Sequence, residues 1–218
     1  MLRYLSFFCV FFLFSSLSTL TEARDHSNFN ANIAVKWDLM NWTPDGYVAV
    51  VTIYNFQEHR NIQAPGWRLG WTWAKHEVLW STVGGQAINQ GNCSHFKGNI
   101  PVSCMKTPTI VDLKPNTPYN QQIENCCRGG LLSAWSNKHR RTTYISAFQV
   151  SVGQAGTSNR TVKLPKNFTF KAPRDRYTCG PAKVVRPTKF LTMDKRRTTQ
   201  ALMTWKITCT YSRNRRNI

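Results

Sequence analysis

The sequence predicts an all-β protein, most economically an antiparallel β-sandwich, and three observations support that prediction. Short segments of alternating apolar and polar residues recur along the chain, as expected of half-buried strands. Turn residues, chiefly glycine, proline and asparagine, separate these segments. No segment of ten or more residues has a convincing helical period in its apolar positions.

The amino terminus is predicted to be a cleaved export signal over residues 1–23. Arg3 supplies the positive start, residues 4–20 are mostly apolar, and residues 21–23 offer small side chains where a signal peptidase cleaves. The apolar run is short for a membrane span, and no second run of spanning length follows it. An uncleaved anchor is the weaker alternative. We therefore expect residues 24–218 to form a single β domain, with no transmembrane segment in the mature chain.

The first two predicted strands form a hairpin. Residues 33–39 alternate apolar and polar side chains, whereas residues 47–54 are apolar on both faces, which favours a central position in a sheet. Between them, Pro44 and Gly46 flank Asp45 in a turn sequence, because proline presets φ and glycine accepts a positive φ.

The segment 66–80 holds four of the eight tryptophans. In an extended strand, alternation places three of them and Leu69 on one face. That face is either part of the core or an exposed platform for a flat ligand, and the pattern leaves both interpretations open. Sugar rings have apolar faces that stack on indoles, so an exposed platform would bind polysaccharide. The loop residue Trp42 has no core pattern around it and is a further candidate. The candidate carbohydrate-binding residues are therefore Trp42, Trp67, Trp71 and Trp73.

The remaining chain continues the β pattern in shorter pieces. Residues 86–107 form a long loop, which we expect disulfides to pin. The last strand is the clearest, and Trp205 on its apolar face is predicted to be core, like Trp37. The further predicted strands cover residues 77–83, 109–113, 119–125, 145–152, 161–170, 183–191 and 201–211.

Cysteine usage indicates a disulfide-bonded exported protein. Of the seven cysteines, Cys9 lies in the predicted signal peptide, and the even number that remains favours disulfides whose pairing the sequence leaves open. We expect Cys126 and Cys127 to bond to different neighbours, since a bond between adjacent cysteines strains the backbone. Paired Cys-x-x-Cys units are missing, so neither a metal site nor a cofactor is predicted. The predicted disulfide cysteines are Cys93, Cys104, Cys126, Cys127, Cys179 and Cys209.

Two further features fit an exported protein. The first is a set of four N-glycosylation acceptors. The second is a formal net charge of +19, which favours polyanionic partners. For an exported chain those partners are acidic polysaccharide such as pectin, an anionic surface or a protein bound by charge, and not nucleic acid. The basic clusters at 195–197 and 213–216 either bind such polyanionic partners or are solvent-exposed residues at the two ends of the last strand. The acceptors are Asn41, Asn92, Asn159 and Asn167.

Catalysis is the weaker functional class. Glycoside hydrolysis needs two carboxyl groups facing across a cleft, and among the few acidic residues Asp38 with Glu77 is one pair that the sequence leaves open. There is no nucleophile elbow, phosphate loop or histidine-rich metal motif, and the five histidines are isolated. We therefore predict a non-catalytic protein.

Several long strings resemble the COBRA-like proteins of plants, in one order over nearly the whole mature chain. They include Gly66-Trp-Arg-Leu-Gly-Trp-Thr-Trp-Ala-Lys75, Asn125-Cys-Cys127 and Tyr177-Thr-Cys-Gly-Pro-Ala-Lys183. The other matching stretches are residues 33–38, 42–51, 93–101, 118–122, 164–169 and 194–205. The resemblance implies an extracellular, glycosylated wall protein that assists cellulose deposition, microfibril orientation and cell expansion. It also implies that the domain resembles a cellulose-binding module.

The chain departs from the family pattern in two places. Members are usually tethered by a glycosylphosphatidylinositol anchor and continue into a further Cys-rich segment, whereas this sequence stops at Ile218 without an apolar tail. Ser103 stands where the family tends to carry a second cysteine beside Cys104. The expectation is a protein released into the wall, and a shortened gene model would look the same.

Overall fold

The structure is a computed structural model, and it describes residues 32–135, 143–173, 175–191 and 196–212. The predicted signal peptide lies outside these ranges. So do Lys195 and the carboxyl-terminal basic cluster at 213–216. Within the described ranges, no helix is long and apolar enough to cross a membrane.

Thirteen strands and one short 3-10 turn make up the described structure, which contains no α-helix. The predicted all-β class is confirmed. The turn covers Tyr119–Gln121. The strands are β1 (Asn32–Thr43), β2 (Gly46–Asn55), β3 (Arg68–Thr72), β4 (Val78–Val83), β5 (Gly85–Ala87), β6 (Thr109–Asp112), β7 (Ile145–Gly153), β8 (Lys166–Ala172), β9 (Asp175–Cys179), β10 (Lys183–Val185), β11 (Lys189–Leu191), β12 (Thr198–Gln200) and β13 (Met203–Tyr211).

Eleven strands form one sheet in the order β4-β7-β2-β1-β13-β9-β8-β3-β6-β5, with β10 added beside β13. Each recorded strand pair is antiparallel. Strands β11 and β12 make a separate hairpin. The sheet curls until its two halves face each other, because apolar side chains from both halves form one buried cluster. Ring centroids of Trp37 on β1 and Trp71 on β3 are 4.9 Å apart across this core.

The predicted first hairpin is confirmed, but its glycine serves another purpose. Strands β1 and β2 pair from Ile33 opposite Asn55 to Thr43 opposite Gly46. Gly46 is not among the glycines with positive φ. Instead, a Cβ at this position would lie 2.1 Å from the carbonyl oxygen of Val152. Glycine is needed here because the backbone of β7 passes so close.

Three predicted strands differ from the structure. Residues 119–125 form no strand; Gln121 N–H donates to the Pro118 carbonyl at 2.9 Å, which winds the chain into the 3-10 turn. The strand predicted at 161–170 begins only at Lys166, after Pro165. The strand predicted at 183–191 is split into β10 and β11 around Pro187, which has no N–H to donate to a ladder.

Three disulfides pair all six predicted cysteines. Cys179 and Cys209 are directly opposite on β9 and β13, and their bond links the two halves of the sheet. Cys93 and Cys104 close the long loop, as predicted.

The prediction that Cys126 and Cys127 bond to different neighbours is wrong, since they bond to each other. The local backbone allows this, because Asn125 and Cys127 both take positive φ, at 66° and 69°. The turn then continues through Gly129 and Gly130, which also have positive φ. Such a conformation cannot be recognised from the residue types alone.

Candidate carbohydrate-binding surface

Three of the four predicted platform tryptophans are core residues. Trp67, Trp71 and Trp73 are exposed by only 1, 2 and 2%. They do share one face, as alternation predicts, but that face points inward and Arg68 on the other face is exposed. The prediction of an exposed platform is therefore wrong for these residues. Trp37 and Trp205 are fully buried, as predicted.

The buried rings form an aromatic cluster centred on Trp37. Its ring centroid lies 4.9 Å from Trp71 and 6.2 Å from Trp73, both in T-shaped contact. It lies 5.9 Å from Trp205. T-shaped contacts place the positive edge of one ring against the negative face of another. The buried indole nitrogens of Trp37, Trp67, Trp71, Trp73 and Trp205 have no hydrogen-bond partner among the described residues. Apolar packing, and not hydrogen bonding, therefore holds these indoles in place.

Trp42 remains a candidate for ligand contact. It is half-buried near the end of β1 and packs against the core from its edge. One side of its ring meets Tyr47 in a T-shaped contact at 6.3 Å. Burial, followed by the Glu77 carboxylate, raises the pKa of Tyr47 well above its usual value, so this tyrosine stays neutral beside Trp42.

The structure places a second half-buried tryptophan, Trp80 on β4, beside the turn of the β1–β2 hairpin. Its Nε1 donates a hydrogen bond to Oδ2 of Asp45 at 3.0 Å. The indole lies against the backbone of Gly153, where a Cβ would come within 1.9 Å of Nε1. These two constraints, a carboxylate partner and a close backbone, hold the ring in one position.

The long loop completes a surface that we name the Trp80 patch, formed by Asp45, Trp80, His95, Phe96 and Val102. Phe96 makes a T-shaped contact with Trp80 at 5.3 Å, and His95 lies 4.4 Å from Phe96. Leu79 forms an isolated antiparallel β-bridge with Ser103. Because the two chains run in opposite directions, Val102 lies opposite Trp80. The Cys93–Cys104 disulfide closes this loop and so restricts the conformations that Phe96 and Val102 can reach.

The Trp80 patch combines the two chemical features that sugars require. A half-exposed indole with apolar neighbours can stack on the C–H face of a sugar ring. The Asp45 side chain is exposed, and its Oδ1 has no hydrogen-bond partner among the described residues, so it can accept a hydrogen bond from a sugar hydroxyl. Sequence reasoning missed Trp80, although alternation from the buried Leu79 does predict that its side chain points outward.

The carboxylates suggested as a hydrolytic pair have structural partners. Asp38 is 1% exposed and accepts a hydrogen bond from the Thr204 hydroxyl. Glu77 is 5% exposed and accepts one from the backbone N–H of Lys75 at 2.6 Å. Each therefore supports local structure. Across the described residues, no group of three or more His, Cys, Asp or Glu side chains could hold a metal ion.

All four glycosylation acceptors lie on the surface, so glycosylation stays a prediction that the fold permits. Asn92 Oδ1 accepts a hydrogen bond from the Ser94 N–H at 3.0 Å. Asn167 takes a positive φ of 49° at the start of β8. The exposed acceptors are Asn41, Asn92, Asn159 and Asn167.

Comparison with known proteins places most of the chain in one family. A family model described as the COBRA N-terminal domain matches residues 47–212. The chain is 61% identical over 211 residues to Protein COBRA of Arabidopsis thaliana, covering 97% of this chain and 46% of that protein. It is 64% identical over 194 residues to COBRA-like protein 2 of Arabidopsis thaliana, covering 89% and 44%.

A rice relative gives the same result. COBRA-like protein 1 of Oryza sativa subsp. japonica is 61% identical over 199 residues, covering 91% of this chain and 44% of the relative. The chain therefore spans somewhat less than half the length of these relatives. No solved structure matches it, so the predicted likeness to a carbohydrate-binding module rests on the family resemblance.

Proposed function

The chain belongs to the COBRA family, and on this basis we propose that it is a secreted, non-catalytic glycoprotein of the plant cell wall. In this proposal it associates with cellulose and assists the deposition and orientation of microfibrils during cell expansion. The names of the relatives identify the family. The expected role in the wall comes from the resemblance to that family.

The Trp80 patch is the observation that carries the cellulose assignment. Because cellulose is a neutral glucan, the protein's net charge of +19 does not attract it to any particular site on the protein. Stacking on an indole does not depend on charge, and the Asp45 carboxylate next to the ring offers an acceptor for a glucose hydroxyl. Trp42, three residues before Asp45 on the same hairpin, is proposed as a second contact.

The test compares tryptophan variants in binding to crystalline cellulose at high salt. We expect Trp80→Ala to weaken binding roughly tenfold, in line with the loss of one stacked aromatic contact. Trp42→Ala should have a smaller effect, because Tyr47 already contacts part of its ring.

Trp135→Ala is the matched control. It also removes a half-buried indole, but one that packs on Phe56 and Tyr144 in a separate cluster. Thermal unfolding of each variant checks that the fold is intact. Equal losses from Trp80→Ala and Trp135→Ala, or unchanged binding in Trp80→Ala, would overturn the assignment of cellulose binding to this patch.

A second candidate function is the binding of acidic polysaccharide such as pectin. The high positive charge favours it, because counterion release and long-range steering both draw a polyanion to a basic protein.

A further inference from the structure

The outward face of strands β3, β6 and β8 carries two cations at directly opposed positions. Arg68 on β3 pairs with Lys171 on β8, so their side chains share one face. Both residues are exposed. Like charges at opposed positions of antiparallel strands destabilise a sheet. Neither cation forms an ion pair with a side chain that the structure describes. This face therefore holds two neighbouring positive charges, and no described side chain serves as their counterion.

The next row of the same face forms the floor of a trough. Gly70 is opposite both Thr169 on β8 and Thr109 on β6. A Cβ at Gly70 would lie 2.7 Å from the Thr169 hydroxyl and 3.1 Å from the Thr109 hydroxyl. The two hydroxyls thus converge above a residue that has no side chain. Neither hydroxyl has a hydrogen-bond partner in the described part of the chain.

The walls of the trough are suited to a sugar ring. The lining residues enclose a cavity of about 280 Å³, near the lower limit of small-molecule sites. Ile88 and Met105 supply an apolar wall, and Asn89 supplies an amide. No acidic side chain is among the lining residues. We name this feature, formed by Arg68, Gly70, Thr109, Thr169 and Lys171 with those walls, the outer-face trough.

We propose that the outer-face trough binds the carboxylate of a uronic acid unit in an acidic polysaccharide. The Arg68 guanidinium matches a carboxylate with two parallel N–H donors, and Lys171 adds a second positive charge. The threonine hydroxyls donate to the carboxylate or to ring hydroxyls, while Ile88 contacts the apolar face of the sugar. This proposal rests on the second candidate function, the binding of acidic polysaccharide, and assigns it to the outer-face trough. It is independent of cellulose association at the Trp80 patch.

The test measures binding of the full-length secreted protein to de-esterified oligogalacturonate at moderate salt. Arg68→Gln/Lys171→Gln should weaken binding at least about tenfold, which is what the loss of one charge-assisted hydrogen bond costs. Lys97→Gln/Lys114→Gln removes the same charge from exposed positions outside the trough and should weaken binding roughly twofold or less. Thr109→Val, which keeps the side-chain shape, should weaken binding by an intermediate factor.

Two ligand comparisons separate the carboxylate from other anions. Fully methyl-esterified oligogalacturonate should bind as weakly as the double variant does, and inorganic phosphate at equal concentration should not displace the oligogalacturonate. Equal losses in the two double variants would overturn the proposal in favour of general charge attraction. Displacement by phosphate, or equal binding of the methyl ester, would overturn the uronate assignment.

Cellulose binding serves as the parallel readout. Arg68→Gln/Lys171→Gln should retain it, and Trp80→Ala should retain oligogalacturonate binding. A loss confined to one ligand shows which of the two proposals has failed.

Discussion

The buried tryptophans and Trp80 differ in what their indole N–H groups contact. Trp71 packs edge to face with Trp37 and Trp73, and its Nε1 has no hydrogen-bond partner in the part of the chain that the structure describes. The Nε1 of Trp80 donates to a carboxylate on the protein surface. Trp71 is therefore an apolar core residue, whereas the ring of Trp80 is held in a fixed orientation at the surface.

This difference predicts how substitutions at Trp71 should rank. Trp71→Ala should lower the free energy of unfolding by about 3–5 kcal/mol, because it leaves a large cavity. Trp71→Phe should cost clearly less, since it removes ring volume but breaks no hydrogen bond. Urea denaturation of both variants measures the difference. If Trp71→Phe is as destabilising as Trp71→Ala, the indole N–H makes a bond in solution.

A second residue-scale prediction concerns alkaline pH. Burial, then the Asp38 carboxylate and then Tyr144, raise the pKa of Tyr54 to about 12 despite a hydrogen bond with Thr52 that lowers it. In the unfolded chain a tyrosine titrates near pH 10. Between these values the folded state binds more protons, so the contribution is complete below pH 10 and is lost as pH rises to about 12.

We therefore expect the free energy of unfolding to fall over that window by up to about 2–3 kcal/mol on account of Tyr54. Tyr54→Phe should remove this part of the pH dependence, as measured by denaturant unfolding at a series of alkaline pH values. Tyr119→Phe, at a tyrosine that is 90% exposed, is the control. Parallel pH profiles for the wild type and Tyr54→Phe would contradict the prediction.

At the scale of elements, one carboxylate organises the turn that contains the adjacent disulfide. Asp112, at the end of β6, accepts backbone N–H bonds from Cys127 at 2.8 Å and from Arg128 and Gly130 at 2.9 Å each. Asp112 is 7% exposed. The turn has positive φ at several positions, and it is this carboxylate that fixes its N–H groups in place.

Asp112→Asn should therefore destabilise the protein by about 1–3 kcal/mol, because an amide has one acceptor oxygen and leaves a buried N–H without a partner. Hydrogen exchange should speed up at the amides of Cys127, Arg128 and Gly130 before the rest of the sheet responds. Glu124→Gln makes the same chemical change at an exposed position in the same region. The prediction fails if the two variants have equal stability and exchange rates.

The element scale also shows where sequence reasoning succeeds and where it stops. Period-two alternation correctly groups Trp67, Trp71 and Trp73 on one face, since the geometry of a strand is local. It does not decide whether that face points inward, because this depends on β6 and β8, which are distant in the chain. The Trp80 patch is missed for the same reason, as Asp45 and Phe96 reach it through non-local pairing. By contrast, the sequence does predict that disulfide bonding constrains the long loop, because its two cysteines, Cys93 and Cys104, are visible in the sequence.

At the scale of the whole molecule, charge and aromatic contact are separate means of attraction. The net charge of +19 acts over a distance that salt reduces to about 10 Å at 0.1 M. The Trp80 patch acts only at contact. The two proposed ligands, a neutral glucan and an acidic polysaccharide, should therefore respond differently to salt.

We expect binding to crystalline cellulose to change less than about twofold between roughly 50 and 500 mM salt. Binding to de-esterified oligogalacturonate should fall steeply over the same range, because counterion release drives it. Pull-downs at a series of salt concentrations measure both. A steep decline in cellulose binding would show that charge, and not stacking, holds the protein on the glucan.

The pairing of β1 with β13 has a consequence for the time at which the fold can form. Trp37 is opposite Trp205, so the central strand of the sheet must wait for a partner made far later in the chain. At 5–20 residues per second, the ribosome needs on the order of ten seconds to make the intervening segment. During that delay one edge of β1 and its apolar side chains have no sheet partner. In a nascent chain that edge of β1 therefore stays accessible for this interval, and so do the predicted glycosylation acceptors Asn41 and Asn92, which are made long before β13.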